Sequence, residues 1–219
     1  MCGRYTNAVT WKDVWAFSQP LTVRTPDEDP APAYNIAPTQ TGWVIRDDED
    51  GQATALQMKW GLLPPWAKDG KIAFSTFNAR LDTIATKPAF RSAWKAGRRC
   101  LVVASGFYEW PVVDGLKRPH FIHRTDSPVM LFAGLWERAG DTLSYTIVTR
   151  DPDDNITDMH DRMPLILPPE VLADWLRAPP GAAMDLAMSV PEQPLAFYEV
   201  GKAVGNVRNQ GPELMQPLT

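Results

Sequence analysis

Cysteine is nearly absent from this 219-residue chain, which contains two, Cys2 and Cys100. Two cysteines are too few for a disulfide scaffold, and they suit a reducing cytoplasm. Hydrophobic residues make up 44% of the chain and charged residues 22%, the ordinary balance of a globular protein rather than of a disordered one. We therefore expect one domain over residues 1–219 that buries a sizeable core.

Long apolar segments are also missing. The first residues, MCGRYTNAVTWKDVW, lack the apolar stretch of about 7 to 15 residues that a signal peptide needs. No later run approaches the roughly 18 apolar residues of a membrane span. We expect a soluble, cytoplasmic protein that does not bind membranes.

An excess of positive charge is absent, because 26 acidic residues outnumber 22 basic ones and the formal net charge is −4. This excludes a strongly basic domain as the basis of nucleic-acid binding, but it leaves room for a local basic groove. Neither GxGxxG nor a P-loop occurs, so no nucleotide cofactor is expected. His120 and His123 would point to opposite faces of a strand, which argues against a metal site.

Proline, in contrast, is abundant at 21 residues, roughly twice its usual share. An interior proline removes a helical hydrogen bond, so a mainly helical bundle is excluded. Strand-like runs occur at 43–46, 56–60, 100–104, 129–135, 143–149 and 164–167, and helical periodicity at 11–18, 79–86, 89–95 and 170–177. Strands that do not alternate strictly with helices predict an α+β fold, with a mainly antiparallel, barrel-like sheet and a few peripheral helices.

Cys2 is the most informative residue, because removal of Met1 would leave an amine and a thiol on one residue. An α-amine titrates near 8 and a lysine near 10.4, so its neutral fraction at pH 7 is on the order of 300 times larger. The thiol is expected to need only modest help to ionise. Addition of the amine to an aldehyde gives an imine, and thiol addition then closes a thiazolidine ring. The alternative is an incidental cysteine in a frayed terminus.

Three polar residues lie in apolar or aromatic surroundings: Asn78 in FNAR, Glu109 in GFYEW and His160 in MHDRMP. Desolvation by its aromatic neighbours is expected to raise the pKa of Glu109 toward values useful for proton transfer. The nearby carboxylates of Asp158 and Asp161 are expected to favour charged His160. The alternatives are a hydrogen-bonded core asparagine, a glutamate paired with an arginine and a surface-loop histidine.

Aromatic and basic residues alternate in MKWGLLPPWAKDGK and FNARLDTIATKPAFRSAWKAGRR. Base stacking combined with phosphate contacts is what a single-strand binder needs. Trp66 follows two prolines, which stiffen a projecting turn that could wedge against a base pair. The alternative is core tryptophans beside solvated charges. The basic positions are Lys59, Lys68, Lys71, Arg80, Lys87, Arg91, Arg98 and Arg99.

Together these segments resemble the SRAP (SOS response-associated peptidase) family, whose members process abasic sites in DNA. The resemblance spans nearly the whole chain, in the family's order, through MCGRYT, YNIAPTQ, WGLLPPWAKD, FNAR, KPAFRSAWK, RRCLVVASGFYEW, FAGLWE and MHDRMPLIL. It implies a barrel-like α+β fold with a positive groove for single-stranded DNA that contains abasic sites, including junctions with duplex. We expect a monomer that is nucleoid-associated when it is bound to DNA.

The resemblance also implies residue roles. Cys2 would attack the ring-opened aldehyde of an abasic site and end as a thiazolidine DNA–protein crosslink, with lyase and autoproteolytic peptidase activity besides. Asn78 would orient the reacting sugar or thiol, Glu109 would shuttle protons, and His160 would act as acid and base on the sugar hydroxyl. The implied DNA-binding residues are Arg4, Pro38, Trp66, Arg80, Thr149, Arg150 and Arg162.

Two other functions stay open at this point. In an N-terminal-nucleophile amidohydrolase the Cys2 thiol would attack an amide with its own α-amine as base. That class needs an oxyanion hole and a layered α/β sandwich, and the sequence identifies neither. A non-enzymatic single-strand binder would explain the alternation of tryptophan and arginine but would give Cys2 no role. Only the first hypothesis predicts a covalent adduct between Cys2 and abasic DNA.

Overall fold

The computed structural model describes residues 2–67, 72 and 75–218. The strands are β1 (Tyr5–Asn7), β2 (Ala33–Ile36), β3 (Thr41–Asp47), β4 (Ala53–Trp60), β5 (Asn78–Arg80), β6 (Arg99–Ala104), β7 (Gly106–Glu109), β8 (Val112–Val113), β9 (Leu116–Lys117), β10 (His120–Arg124), β11 (Met130–Ala139), β12 (Thr142–Arg150), β13 (Met163–Pro164) and β14 (Leu195–Glu199). The α-helices are α1 (Trp11–Ser18), α2 (Arg91–Lys95), α3 (Leu172–Arg177) and α4 (Pro180–Ser189). Short 3₁₀ helices cover Asp154–Ile156, Pro169–Val171, Lys202–Gly205 and Pro212–Met215. Within the described ranges, no helix has the length and apolar character to cross a membrane.

Five strands of one sheet close into a barrel. Their order is β11–β6–β3–β4–β12, and β12 pairs back onto β11. Neighbours in the ring are antiparallel except β4 and β12, which are parallel. β5 and β13 attach to β12 outside the ring. The predicted α+β fold with a mainly antiparallel barrel is therefore confirmed.

A second, antiparallel sheet has the order β14–β10–β7–β1–β2 and shares a buried cluster with the barrel. Tyr5 of β1 is central to this cluster. Its ring packs edge-on against Trp60 at 5.1 Å and Phe132 at 6.1 Å. Its hydroxyl lies 2.6 Å from that of Tyr145 on β12. These contacts hold β1, and with it the residues just before it, against the barrel.

Gly42 on β3 leaves the space that this tyrosine pair occupies. A Cβ atom at position 42 would lie 2.0 Å from the Tyr5 hydroxyl and 2.4 Å from the Tyr145 hydroxyl. Both distances are far inside van der Waals contact, so a side chain here would displace at least one hydroxyl. The close approach of β1 to the barrel therefore requires glycine at position 42.

Helix α1 confirms the predicted range of 11–18. Thr10 caps its start, because the Thr10 hydroxyl accepts the Asp13 backbone N–H while the Asp13 carboxylate accepts the Thr10 N–H. Trp11 and Val14 face the core. The predicted helices at 89–95 and 170–177 are also present but shorter, as α2 and α3, and the latter follows the 3₁₀ turn Pro169–Val171.

The helix predicted over residues 79–86 is wrong. Residues Asn78–Arg80 form β5, which pairs in parallel with Ile147–Thr149 of β12, and turns follow. The apolar residues Ala79, Leu81 and Ile84 are buried, as the helical spacing suggested, but a strand and turns bury them instead. Pairing with a distant strand outweighed the local periodicity.

Candidate active site and nucleic-acid interface

Cys2 lies at the start of the described chain, three residues before the Tyr5 anchor, and its side chain is fully buried. Asn78, at the start of β5, donates from Nδ2 to the Cys2 carbonyl oxygen at 2.8 Å. The Cys2 Sγ lies 3.9 Å from the Arg4 carbonyl oxygen. Two segments distant in sequence therefore meet at Cys2. Met1, whose removal the predicted chemistry requires, lies outside the described residues.

The environment of Cys2 disfavours its thiolate. Burial raises the pKa of the Cys2 thiol far above its ordinary value, and the negative charge of Glu109 adds to the rise. The expectation of an easily ionised thiol is therefore wrong for this structure. A thiol that stays protonated at neutral pH is a weaker nucleophile than a thiolate.

Glu109 ends strand β7 and is 4% exposed. Burial raises its pKa from 4.5 to about 7, as its aromatic surroundings predicted. A carboxyl group with such a pKa can both donate and accept a proton near neutral pH. Glu109 therefore has the property that a general acid–base catalyst needs.

His160 lies between the 3₁₀ turn Asp154–Ile156 and β13, and its side chain is one-third exposed. Its Nδ1 lies 2.5 Å from Asp161 Oδ1 and 3.1 Å from the Arg162 backbone nitrogen. The short contact with a carboxylate oxygen places a proton on Nδ1, which leaves Nε2 as the basic nitrogen of the neutral ring. Burial lowers the pKa of His160, and the Asp161 carboxylate offsets this only in part. The expectation that neighbouring acids hold His160 charged is therefore wrong. A neutral imidazole is the form that can accept a proton.

A cavity of about 620 Å³ brings Glu109 and His160 together. Gly3 lines it, so the cavity lies beside the residue that follows Cys2. Lys117 of β9 and Gly205 of a C-terminal 3₁₀ helix also line this cavity, and the sequence did not point to either, because no motif connects those segments with Cys2. The full lining is Gly3, Arg4, Glu109, Trp110, Lys117, His160 and Gly205.

Arg4 is held at this cavity by Asn35, a fully buried residue of β2. Arg4 Nη1 donates to Asn35 Oδ1 at 2.7 Å and to the Val204 carbonyl at 2.8 Å. The Asn35 Nδ2 lies 3.0 to 3.2 Å from the carbonyl oxygens of Val204, Asn206 and Asn209. Asn35 therefore joins the N-terminal segment to the C-terminal one. It lies within the YNIAPTQ segment, but the sequence assigned it no role.

A second cavity, of about 470 Å³, adjoins the site through Asn78. Trp66 is half exposed here, as predicted from the two prolines before it. Aromatic and basic side chains share this cavity, the combination that suits bases and phosphates. Its lining is Trp66, Ser75, Asn78, Arg80, Thr83, Lys87, Pro88, Ala89 and Phe90. Pro38 lines a neighbouring cavity of about 440 Å³ that shares Ser75.

The other residues implied for DNA binding have partners within the protein. Arg150 donates to the Val190 carbonyl oxygen at 2.7 Å and pairs with Asp153. Thr149 is fully buried, and its carbonyl oxygen accepts a hydrogen bond from Arg162 at 3.0 Å. In this structure Arg150 and Thr149 stabilise local chain geometry, and their contacts with DNA stay a prediction.

Two of the remaining basic positions are structural. Arg98 pairs with the buried Glu137 at 2.7 Å. Arg99 packs over the ring of Trp175 and donates to the Trp175 and Ala178 carbonyl oxygens. The alternative of core tryptophans beside solvated charges is therefore right about Trp94, which is buried, but not about these two arginines, which are paired within the protein. Lys68 and Lys71 lie outside the described residues.

The described part of the chain contains no group of three or more His, Cys, Asp or Glu side chains that could hold a metal ion.

Comparison with known proteins adds family and fold relationships. Residues 1–207 match the family model described as SOS response associated peptidase (SRAP). The chain is 35% identical to the abasic site processing protein YoqW of Bacillus subtilis, with 99% of each chain covered. It is 34% identical to the abasic site processing protein YedK of Escherichia coli, with 100% of each covered. It is 33% identical to the abasic site processing protein HMCES of Gallus gallus, with 85% of this chain and 66% of the relative covered.

Solved structures share the fold. A crystal structure of a Bordetella bronchiseptica protein superposes with a TM-score of 0.78 at 27% identity, covering 91% of this chain and 100% of the other. A phage-related protein from the same organism gives a TM-score of 0.74 at 27% identity, with 92% and 95% covered.

Proposed function

The chain belongs to the SOS response associated peptidase family, and from this premise we propose that it processes abasic sites in single-stranded DNA by crosslinking to them through Cys2. Relatives that match over nearly their whole length are named abasic site processing proteins. The observation that carries the proposal is the meeting of Asn78 with buried Cys2 beside a cavity that holds Glu109 and His160.

The first chemical stage is opening of the sugar ring. His160, in the neutral form that carries its proton on Nδ1 beside Asp161, accepts the proton of the C1 hydroxyl group on Nε2, while Glu109 donates a proton to the ring oxygen as the bond from C1 to that oxygen breaks. The products are an aldehyde at C1 and a hydroxyl at C4. The pKa of about 7 lets Glu109 act as the acid here and as a base later.

The second stage forms the crosslink. After Met1 removal, the Cys2 α-amine adds to the aldehyde carbon, and the resulting carbinolamine loses water to give an imine. The thiol then adds to the imine carbon. The new C–S bond forms as the C=N electron pair moves to nitrogen, which takes up a proton while Glu109 accepts the thiol proton. Amine, thiol and aldehyde thus give one thiazolidine and one water, and Asn78 orients Cys2 through its carbonyl oxygen.

The DNA strand would follow the surface on both sides of Asn78. Arg80, whose side chain is 58% exposed, and Lys87 supply positive charge for phosphates. Trp66 and Phe90 supply flat apolar surface for bases, and Trp66 would stack where a single strand meets duplex. Arg4, which lines the cavity with Glu109, adds positive charge toward the reacting sugar. Arg162 is buried and paired with Asp151, so it would have to exchange this partner to contact DNA.

The amidohydrolase alternative has less support. It requires a layered α/β sandwich, whereas this chain folds as a closed barrel with a second antiparallel sheet. The proposal that Cys2 reacts with an aldehyde also needs no thiolate, which agrees with the raised pKa of its thiol.

Intact mass after incubation with an abasic oligonucleotide tests the proposal. We expect an adduct that equals protein plus DNA minus one water, located at Cys2. Cys2→Ser should lose this stable adduct and yet give an imine that borohydride traps, because its α-amine remains. Cys100→Ser is the matched control, since Cys100 is the other cysteine and lies in the barrel, and it should keep the stable yield. Unchanged stable yield in Cys2→Ser, or in protein with Met1 blocked in place, contradicts the mechanism.

A further inference from the structure

Carboxylates pair with Arg80 and Arg162, two of the arginines implied for contact with the DNA backbone. Asp82, two residues after Arg80, binds it with both oxygens: Arg80 Nε donates to Oδ1 at 3.2 Å and Nη2 to Oδ2 at 2.9 Å. The same Oδ1 lies 3.9 Å from Arg162 Nη2. Arg162 also pairs with Asp151 at 2.5 Å. Asp82 therefore lies between two of the cationic side chains.

The Asp82–Arg80 pair contributes little that the fold requires. Both side chains are more than half exposed, at 51% and 58%, and exposed ion pairs stabilise proteins only slightly. The pair nevertheless occupies the guanidinium face that would otherwise bind a phosphate through two parallel hydrogen bonds. Asp82 holds the pKa of Arg80 above its ordinary value, with smaller contributions from Asp151 and Asp161.

We propose that Asp82 is a specificity-determining residue, which competes with backbone phosphates for Arg80 and so weakens binding to intact single strands. This inference rests on the proposed function. A phosphate that binds Arg80 must first displace Asp82. Because one ion pair then replaces another, the contact adds little binding free energy. Undamaged strands then dissociate readily, while an abasic strand is retained through its covalent bond to Cys2.

Binding of an intact oligonucleotide, measured by fluorescence anisotropy at several salt concentrations, tests the competition. Asp82→Asn should bind about two- to fivefold more tightly, the range expected when an exposed ion pair is removed. The slope of log affinity against log salt should steepen by about 0.7, the share of one additional phosphate contact. Asp50→Asn makes the same charge change in the exposed turn between β3 and β4, and it should change affinity far less.

A double variant separates competition from a general charge effect. In an Arg80→Ala background, Asp82→Asn should lose most of its gain in affinity, because the two residues act through one ion pair. If Asp82→Asn binds no more tightly than Asp50→Asn, or if the gain persists without Arg80, the inference is wrong.

The consequence for selectivity is measured by crosslinking an abasic oligonucleotide in the presence of excess intact strand. The competitor should slow Asp82→Asn more than the wild-type protein, because intact strands now sequester it. Equal inhibition of the two proteins contradicts the proposal. Absence of any crosslink with the wild-type protein would instead contradict the proposed function, and the affinity measurements would still decide the role of Asp82.

Discussion

Replacement of Glu109 by glutamine should stabilise the protein at alkaline pH while it slows the reaction. Burial raises the pKa of Glu109 from 4.5 to about 7, so the folded protein holds this proton more tightly than the unfolded chain does. The unfolding free energy of the wild-type protein therefore falls as the pH rises from about 4.5 to about 7. The Glu109→Gln variant has no proton to lose at this position, so its unfolding free energy does not fall for this reason. The shift corresponds to about 3 kcal/mol of unfolding free energy.

The assay is urea denaturation of both proteins between pH 4.5 and pH 8.5. Other carboxylates titrate equally in the two proteins, so their difference in unfolding free energy isolates Glu109. That difference should move by about 3 kcal/mol in favour of the variant across the range. Glu49→Gln, on the exposed turn between β3 and β4, is the matched control and should show little change.

The same variant should crosslink more slowly by about 10²- to 10⁴-fold, because it can no longer transfer a proton. Higher stability together with a lower rate distinguishes a buried acid–base residue from one that merely supports the fold. A pH-independent difference in stability would refute the argument, since it would mean that burial does not raise the pKa of Glu109.

Three further outcomes follow from packing and contacts. Gly42→Ala should lower the unfolding free energy by about 1 to 3 kcal/mol in urea denaturation, because the new Cβ overlaps the Tyr5 and Tyr145 hydroxyls; unchanged stability would contradict this packing. Asn35→Ala should speed amide hydrogen exchange in segment 201–210, because three of its carbonyl oxygens lose the hydrogen bond from the Asn35 side chain, and equal exchange would show that Asn35 does not hold this segment. Trp66→Ala should weaken binding to a junction of single strand and duplex roughly tenfold, with a smaller effect on plain single strands. An equal loss of affinity for the junction and for plain single strands would show that Trp66 does not act at the junction.

The kinds of group at the candidate site could be predicted from the sequence, because they depend on the residue types present and on their immediate neighbours. The position of Cys2 directly after Met1 means that removal of Met1 would leave an amine and a thiol on one residue, whatever the fold. The aromatic residues around Glu109 are adjacent to it in the chain, so its desolvation was visible locally and is confirmed. Helix α1 was likewise predictable, since its cap and apolar face lie within nine residues.

Other features were decided by tertiary structure, because they depend on groups far apart in sequence. The pairing of Asn78–Arg80 with β12 replaced the helix that local periodicity favoured. Burial overturned the expected ionisation of the Cys2 thiol and of His160, since local sequence gives the charges nearby but not the depth of burial. Long-range contacts also determine the partners of Arg150. They likewise explain how Asn35 joins Arg4 to the C-terminal segment. Residue types set what this site can do, and long-range packing sets which protonation states and ion pairs are available to do it.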